Sequence, residues 1–142
     1  MKAITLQQPW AGLLVLGVKT CETRSWNTHY RGKIAVHSSA KIPAEGKKLF
    51  EQLCELKPEI FYEGSRAWEL CTTTGHVLGT VTIEQVYSTN KRKPSDEGEL
   101  MLGDYSPNRY WFWCIRPETY QTPIPASGQL MIWEWDENQE RF

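Results

Sequence analysis

Alternation of apolar and polar positions is the clearest pattern in this chain, and it recurs in six short stretches. Alternation with a period of two is typical of β-strands that bury one face. In the second stretch, which is either a strand or an extended loop, it puts Thr20, Glu22 and Arg24 on one side of the backbone. The six stretches cover residues 3–6, 20–24, 33–37, 76–87, 109–115 and 129–135.

Helical patterns lie between these strands. Pro9 suits the first turn of a short helix, and Gly17 suits the position just after its end. Apolar residues at helical spacing predict a second helix over residues 38–56, and a weaker helical pattern covers 66–71. Residues 88–98 are polar and charged, which predicts a mobile loop.

Five or six strands with two or three helices predict a mixed α+β fold, in which helices flank a small β-barrel. The length of 142 residues, 40% of them apolar, fits a single domain over residues 1–142. The four cysteines lack metal-ligand or redox spacing, so neither a metal site nor a cofactor is expected. Without a signal peptide or a long apolar segment, we expect a cytoplasmic protein that does not enter membranes.

Charge is distributed unevenly along the chain. The net charge of -1 argues against indiscriminate binding to polyanions. Residues 1–48 nevertheless carry an excess of six positive charges, and the remainder carries an excess of seven negative ones. A basic surface would therefore belong to the N-terminal third, unless the two parts interleave in the fold and cancel.

Residues 17–24 read Gly-Val-Lys-Thr-Cys-Glu-Thr-Arg and fit the pattern G-x-K-x-x-E-x-R. This pattern resembles the signature of the ASCH domain, which belongs to the PUA-like superfamily. The resemblance extends over most of the chain, and it implies a compact member of the bacterial or phage type. It also implies a PUA-like β-barrel with a cleft lined by Lys19, Glu22 and Arg24, in a family proposed to bind RNA. The other similar stretches are residues 8–11, 25–26, 30–37, 102–105, 109–110 and 123–125.

The three motif residues also make chemical sense without the resemblance. Lys19 follows a predicted helix end, from which its ammonium can reach a phosphate or a carbonyl. Glu22 lies between two cations in sequence, so it is expected to be ionised and to accept a proton or bind a base amino group. Arg24 offers a planar guanidinium that grips phosphate or stacks on a base. The alternative is an ion-pair network that only fixes a loop.

Aromatic and charged residues near the motif, and two residues near the fifth strand, are further binding candidates. Aromatic rings stack on bases, and basic side chains steer phosphates. Core packing, solvated strand edges and a turn-stabilising aspartate are the structural alternatives. The candidates are Trp10, Trp26, Tyr30, Arg31, Lys33, Asp104 and Arg109.

Three functions remain open from the sequence. The first is binding of RNA, or of a nucleoside or nucleotide, by the Lys/Glu/Arg cleft. The second is hydrolysis in the same cleft with Lys19 and Glu22 as catalytic residues, because some ASCH-like proteins are N4-acetylcytidine amidohydrolases and others resemble ribonucleases. Glu22 stands where those amidohydrolases carry a threonine, which is a departure from their pattern. The third is a protein-interaction adaptor. The motifs of P-loop nucleotide hydrolases, serine esterases and zinc proteases are absent from the sequence.

Overall fold

A computed structural model describes residues 1–137 of the chain, in which six strands form one sheet and four helices accompany it. The mixed α+β class and the barrel-like sheet are confirmed, with one helix more than predicted. The strands are β1 (Lys2–Leu6), β2 (Cys21–Arg24), β3 (Gly32–Ser38), β4 (His76–Ser88), β5 (Tyr110–Pro125) and β6 (Ile132–Glu134). The helices are α1 (Trp10–Val15), α2 (Ala44–Leu56), α3 (Arg66–Thr72) and α4 (Glu97–Met101).

The sheet has the strand order β2-β5-β4-β3-β1-β6 and curls into a half-barrel. β1 and β3 are parallel, and the other neighbouring pairs are antiparallel. β2 therefore lies at one edge of the sheet, far from β1 in strand order. Arg24 of β2 nevertheless donates a hydrogen bond of 2.7 Å from its Nη2 to the carbonyl oxygen of Thr5 in β1. This side chain bridges the seam between the two ends of the curled sheet.

The main core lies between the inner face of the sheet and α1 with α3. Leu14 of α1 and Leu70 of α3 pack there with Val81, Ile83 and Phe112 of the sheet, and all five side chains are buried. Burial of this apolar surface is the principal force that holds the helices on the sheet. The predicted apolar stripe of α2 packs on the other side of α1 and α3, and its residues are Leu49, Phe50, Leu53 and Cys54.

Gln8 fastens the beginning of α1 to the end of α3. Its amide is fully buried, and Nε2 donates to the carbonyl oxygens of Leu70 and Thr73, each at 2.7 Å. Oε1 accepts a hydrogen bond of 3.0 Å from the backbone N–H of Gly12. Gln8 thereby satisfies its own donor and acceptor groups, which a buried amide requires. These contacts fix the segment that leads into the cleft described below.

Two predicted helical or loop boundaries differ from the observed ones. The second helix begins at Ala44 and not at Ser38, because Ser38 completes β3 by pairing with Leu6 of β1. The segment predicted to be a mobile loop ends in α4, which begins at Glu97 after the side chain of Asp96 accepts a hydrogen bond from the N–H of Glu99. An aspartate at this position is a standard N-terminal helix cap.

The last two strands also differ from their predicted extents. β5 does not end at Ile115 but continues to Pro125, paired with β4 over its second half. β2 covers only residues 110–113 of β5, so the later prolines of β5 lie on a free edge, where a missing N–H costs no ladder hydrogen bond. β6 is confined to Ile132–Glu134 within the predicted range of 129–135. Within residues 1–137, no helix has the length and apolar character needed to span a bilayer.

Candidate functional site

β2 and the turn before it bring together the three charged residues of the sequence motif. The ammonium Nζ of Lys19 lies 3.0 Å from Oε1 of Glu22, and Nη2 of Arg24 lies 2.9 Å from Oε2 of the same carboxylate. Each carboxylate oxygen thus has its own cation. The alternation predicted for this strand is the reason that Glu22 and Arg24 share a face.

Lys19 lies beneath this face and not at its surface. Its side chain is 1% exposed, and its ammonium donates hydrogen bonds to the carbonyl oxygen of Cys21 and to Glu22. The sequence suggested that this ammonium reaches out to a ligand, and in this respect the prediction was wrong. The physical reason is the turn after α1: Gly17 has a positive φ of 76°, and the N–H of Lys19 donates to the carbonyl of Leu13 at 3.0 Å, which folds the segment back onto the helix.

Glu22 is a buried but ionised carboxylate. Burial alone raises the pKa of Glu22, but the nearby charges of Lys19 and Arg24 and the hydrogen bonds that both donate outweigh it and hold the pKa below its usual value. Glu22 therefore presents a fixed negative charge at neutral pH, as the sequence suggested.

The guanidinium of Arg24 lies beside Glu22 at the seam of the sheet. Nη2 is occupied by Glu22 and by the Thr5 carbonyl, whereas Nε has no hydrogen-bond partner among residues 1–137. The guanidinium carbon lies 5.9 Å from the ring centroid of Trp26, and that ring packs edge-to-face on Phe112 at 5.4 Å. Arg24 is thus held in place, and because the unpaired Nε is buried, the donor that it can offer to the cleft is the other terminal nitrogen, Nη1.

A cleft of about 780 Å³ opens beside Glu22 and Arg24. Its remaining walls come from the end of β1, the loop after β2, the first turns of α1 and α2, and the segment from α4 to β5. Four of the predicted binding residues contribute to these walls, namely Trp10, Trp26, Asp104 and Arg109. A cleft of this size lies in the range of small-ligand sites, which is about 300 to 1,000 Å³.

The wall that faces the motif is built by a turn before β5. Oδ1 of Asp104 accepts hydrogen bonds from the hydroxyl and N–H of Ser106, at 2.7 and 3.1 Å, and these bonds lower the pKa of Asp104. The Nε of Arg109 donates to the carbonyl oxygen of Asp104 at 3.0 Å. Asp104 therefore stabilises the turn, which was the structural alternative, and it also lines the cleft.

The charges around the cleft nearly cancel. Arg24 and Arg109 contribute two cations to the lining, while Glu22, Glu45 and Asp104 contribute three carboxylates. Lys19 lies directly below Glu22 and adds a third positive charge. The cleft is thus polar and not strongly basic, so it does not select for a highly charged anion.

Tyr30, Arg31 and Lys33 lie apart from the walls of this cleft. The hydroxyl of Tyr30 donates to the carbonyl oxygen of Lys33 at 2.5 Å, and the ammonium of Lys33 lies 3.4 Å from Glu118. Nη2 of Arg31 donates to Gln85 at 3.3 Å. As ligands of this particular cleft, these three residues have no support from the geometry, because they belong to the connection into β3 and to its exposed side.

Glu99 of α4 supports the motif strand from outside the cleft lining, and the sequence analysis left it unassigned. Oε1 accepts hydrogen bonds from the N–H and the hydroxyl of Thr20, at 2.5 and 2.9 Å, and Oε2 accepts from the N–H of Cys21 at 3.2 Å. This buried carboxylate fixes the beginning of β2. The spacing of Asp96 and Glu99 is a helix-start pattern that could have revealed α4, but nothing in the sequence joins Glu99 to Thr20 across 79 positions. Within the described part of the chain, His, Cys, Asp and Glu side chains form no group of three suited to a metal ion.

Comparison with known proteins identifies the family of this chain. The ASCH domain profile matches residues 4–124. Activating signal cointegrator 1 from Homo sapiens is 28% identical over 135 residues, which are 94% of this chain and 22% of that protein. The protein of the same name from Mus musculus is 27% identical with the same coverage. The chain thus spans about a fifth of the length of these curated relatives.

Solved structures share the fold. The crystal structure of ASCH from Zymomonas mobilis aligns with a TM-score of 0.61 and 13% identity, covering 99% of this chain and 92% of that one. A single-substitution variant of the same Zymomonas mobilis protein aligns with a TM-score of 0.55 and 12% identity, covering 99% and 94%. At such identities the likeness shows the fold alone, which is the ASCH or PUA-like fold expected from the sequence. Because the profile matches most of the chain, the protein belongs to the ASCH domain family, a family associated with RNA.

Proposed function

We propose that this ASCH domain binds one nucleoside unit, either within RNA or as a free modified nucleoside, in the cleft beside Glu22 and Arg24. The observation that carries the proposal is the fixed pair of an ionised carboxylate and a guanidinium in a cleft of about 780 Å³. A carboxylate accepts hydrogen bonds from a base amino group, and a guanidinium donates to a carbonyl or a phosphate. An amino group and a carbonyl on the same edge of a base, as on the Watson–Crick edge of cytosine, match this pair.

The charge balance supports a nucleoside over a phosphate-rich ligand. Two arginines in the lining are opposed by three carboxylates, so a polyphosphate would gain little from the cleft as a whole. A base with donors and acceptors on one edge can pair with both signs. One phosphate can still be accommodated by Arg24 or Arg109, which is all that a nucleotide within a chain requires.

Two tryptophans add a planar surface to the lining. Trp10 and Trp26 are half-buried, and the packing of Trp26 on Phe112 fixes the orientation of its ring. A ring that is already fixed loses little side-chain entropy when a base packs against it. Stacking on an aromatic side chain contributes about 1 to 3 kcal/mol for each base.

The contacts of the motif favour binding over hydrolysis. The ammonium of Lys19 already serves two acceptors in a buried position, and the lowered pKa of Glu22 makes it a weak proton acceptor at neutral pH. Burial raises the pKa of the Cys21 thiol, and it raises the pKa of the Cys114 thiol to about 12, so neither is a ready nucleophile. We therefore assign Lys19 a positioning role towards Glu22.

Titration of the full chain with nucleosides tests the proposal. Cytidine, N4-acetylcytidine, uridine, adenosine and a short single-stranded RNA are added while tryptophan fluorescence is recorded, and each ligand is recovered and analysed by chromatography. We expect saturable binding of at least one of these ligands, with the ligand recovered unchanged. Arg24→Lys should weaken that binding about tenfold or more, because a point charge cannot replace the planar guanidinium.

Arg66→Lys is the matched control, since the guanidinium of Arg66 also pairs with a glutamate, Glu69, and donates to a backbone carbonyl, that of Tyr120, but does not line the cleft. Circular dichroism and thermal unfolding of both variants separate loss of binding from loss of folding. Absence of binding to every ligand at millimolar concentration, or equal affinity in the Arg24→Lys protein, would contradict the proposal. Release of cytidine from N4-acetylcytidine, or cleavage of the RNA, would instead make the cleft catalytic.

A further inference from the structure

A second surface with nucleic-acid chemistry lies on the side of the sheet opposite the main core. Phe112 points inward to that core, so its neighbours in β5, Trp111 and Trp113, face the other side. This outer side carries aromatic and basic residues next to one another. We call it the basic-aromatic strip, and its members are Arg31, Tyr87, Lys91, Arg92, Lys93 and Trp113.

The basic part of the strip is anchored to the sheet. The N–H groups of Lys91 and Arg92 donate to the carbonyl oxygen of Ser88 at 3.1 and 3.0 Å, and the indole N–H of Trp111 donates to the carbonyl of Arg92 at 2.8 Å. The guanidinium carbon of Arg92 lies 5.0 Å from the ring centroid of Tyr87. This part of the segment predicted to be mobile is therefore held in a defined position, which reduces the entropy cost of binding.

The three consecutive cations of the strip are exposed and uncompensated. Among residues 1–137, no carboxylate lies within ion-pair distance of Lys91, Arg92 or Lys93. The nearest following acid in sequence, Asp96, uses its carboxylate to cap α4. A fixed row of cations without counter-charges is complementary to the phosphates of a nucleic acid.

Trp113 continues the strip with an exposed indole. It is 41% exposed on the face of a sheet, where large aromatic rings are usually covered. Its partner across the strands is Gln85, and the side chain of Gln85 accepts a hydrogen bond from Arg31. Interleaved aromatic and basic side chains are typical of surfaces that bind single strands, where bases stack and phosphates meet cations.

The strip begins where the wall of the cleft ends. Trp111 is paired across the strands with Thr23, which lines the cleft. Thr89, just before the cations, exchanges hydrogen bonds of 3.0 and 3.1 Å with the backbone of Arg109, which also lines the cleft. A ligand chain that leaves the cleft around the edge strand β2 thus meets the strip directly.

We infer that the strip binds the continuation of a single-stranded RNA whose one nucleoside occupies the cleft. The cations of residues 91–93 contact phosphates, and Trp113 stacks on a base. The inference rests on the proposed function for the choice of RNA and for its starting point, but it depends on different residues. The cleft then selects a nucleoside, and the strip supplies affinity that grows with the length of the strand.

The test compares the best nucleoside with a single-stranded RNA of about 12 nucleotides, bound to the full chain over salt concentrations from about 50 to about 200 mM. We expect Lys91→Gln/Lys93→Gln to weaken RNA binding about tenfold or more at the lowest salt and to reduce the slope of log affinity against log salt by about 1.4. Trp113→Leu should weaken RNA binding about fivefold or more. Neither change should alter nucleoside affinity. Arg92 is not substituted, because its contact with the ring of Tyr87 helps to fix the loop.

The matched control is Lys41→Gln/Lys57→Gln, which removes the same charge from exposed positions at the two ends of α2. If the strip variants bind RNA like the wild type, the strip is not the RNA surface, and if Arg24→Lys is defective in the same assay, the cleft proposal still stands. If the strip variants are defective but Arg24→Lys binds RNA and nucleoside normally, the strip stands and the cleft proposal fails. Equal loss of RNA affinity in the control variant would mean that general charge, and not the strip, binds RNA.

Discussion

Lys19, Glu22 and Arg24 form a network in which each charge depends on the others. Lys19 is 1% exposed, so its charge is tolerated only because Glu22 and a backbone carbonyl accept its protons. Replacing a buried charge by an apolar side chain leaves its partner uncompensated, which costs about 3 to 5 kcal/mol. The same three side chains therefore contribute both to the stability of the fold and to the electrostatics of the cleft.

We expect Lys19→Met and Glu22→Gln each to lower the free energy of unfolding by about 3 kcal/mol at neutral pH. The double variant should lose much less than the sum of the two, because the first change already removes the interaction that the second one breaks. Urea unfolding of the four proteins gives this coupling energy. Strict additivity would mean that the ion pair between Lys19 and Glu22 is not formed.

The loss of unfolding free energy in Glu22→Gln is expected to depend on pH. The pKa of Glu22 lies below its unfolded value of about 4.5. The ion pairs therefore contribute their full stability above that value, and the contribution is lost as the pH falls through the folded pKa. We expect the difference in stability between wild type and Glu22→Gln to shrink when unfolding is repeated at a pH of about 3. A constant difference from neutral pH to that value would mean that the pKa of Glu22 is the same in the folded and the unfolded protein, so that Lys19 and Arg24 do not stabilise its carboxylate.

Short elements in this protein are held by contacts from outside themselves. α4 has five residues, too few for a helix that is stable by itself, and its Glu99 is tied to the beginning of β2. α4 in turn carries Met101 into the lining of the cleft. Glu99 is thus the link between the segment after β4 and the motif strand.

Glu99→Gln should loosen this link. An amide has one acceptor oxygen where the carboxylate has two. Either the N–H of Cys21, or the N–H and the hydroxyl of Thr20, therefore lose their acceptor. We expect a loss of about 1 to 3 kcal/mol in unfolding free energy and faster hydrogen exchange at Thr20 and Cys21. Glu97→Gln, on the exposed side of the same helix, is the control and should change neither. Unchanged exchange in the Glu99 variant would exclude this role.

How far the sequence predicts the elements depends on whether their cause is local. Alternation predicted the bounds of β1, β3 and β4 closely, because the residues of each strand alone show which of its faces is buried. The second half of β5 was missed because Pro117 and Pro123 are typical of turns, and only the free edge beside β2 makes prolines acceptable there. Likewise, the charges of the motif could be predicted to meet, whereas the burial of Lys19 could not, because it depends on the Cys21 carbonyl and on the fold of the preceding turn.

At the scale of the whole molecule, β4 and β5 form the longest pairing of the sheet and approach each other closely. These strands pair with several register shifts, one of them between Val77 and Gly79. A Cβ on Gly79 would lie 2.0 Å from the carbonyl oxygen of Glu118 and 2.9 Å from Cα of Thr119. Only glycine fits at this contact between two backbones.

Gly79→Ala should therefore lower the free energy of unfolding by more than about 2 kcal/mol, because the strands must separate locally. Gly98→Ala is the matched control: Gly98 is an exposed position of α4, where a Cβ meets Oδ1 of the capping Asp96 at 3.0 Å, a side-chain atom that can move where a backbone atom cannot. We expect the control to change stability by less than about 1 kcal/mol. Thermal and urea unfolding measure both, and similar midpoints for the two variants would show that β4 and β5 can separate without cost.

The hydrogen bond from Arg24 to the Thr5 carbonyl joins the two ends of the curled sheet beside the cleft. A sheet that is closed by backbone hydrogen bonds between all neighbouring strands has no preferred place to open. The same guanidinium is the group that the proposed function assigns to the ligand. A ligand that draws Arg24 towards itself would weaken this connection, whereas a ligand that leaves the hydrogen bond intact would have to fit the cleft as it stands. If Arg24 binds the ligand as proposed, opening of the sheet at this seam and entry of the ligand are coupled.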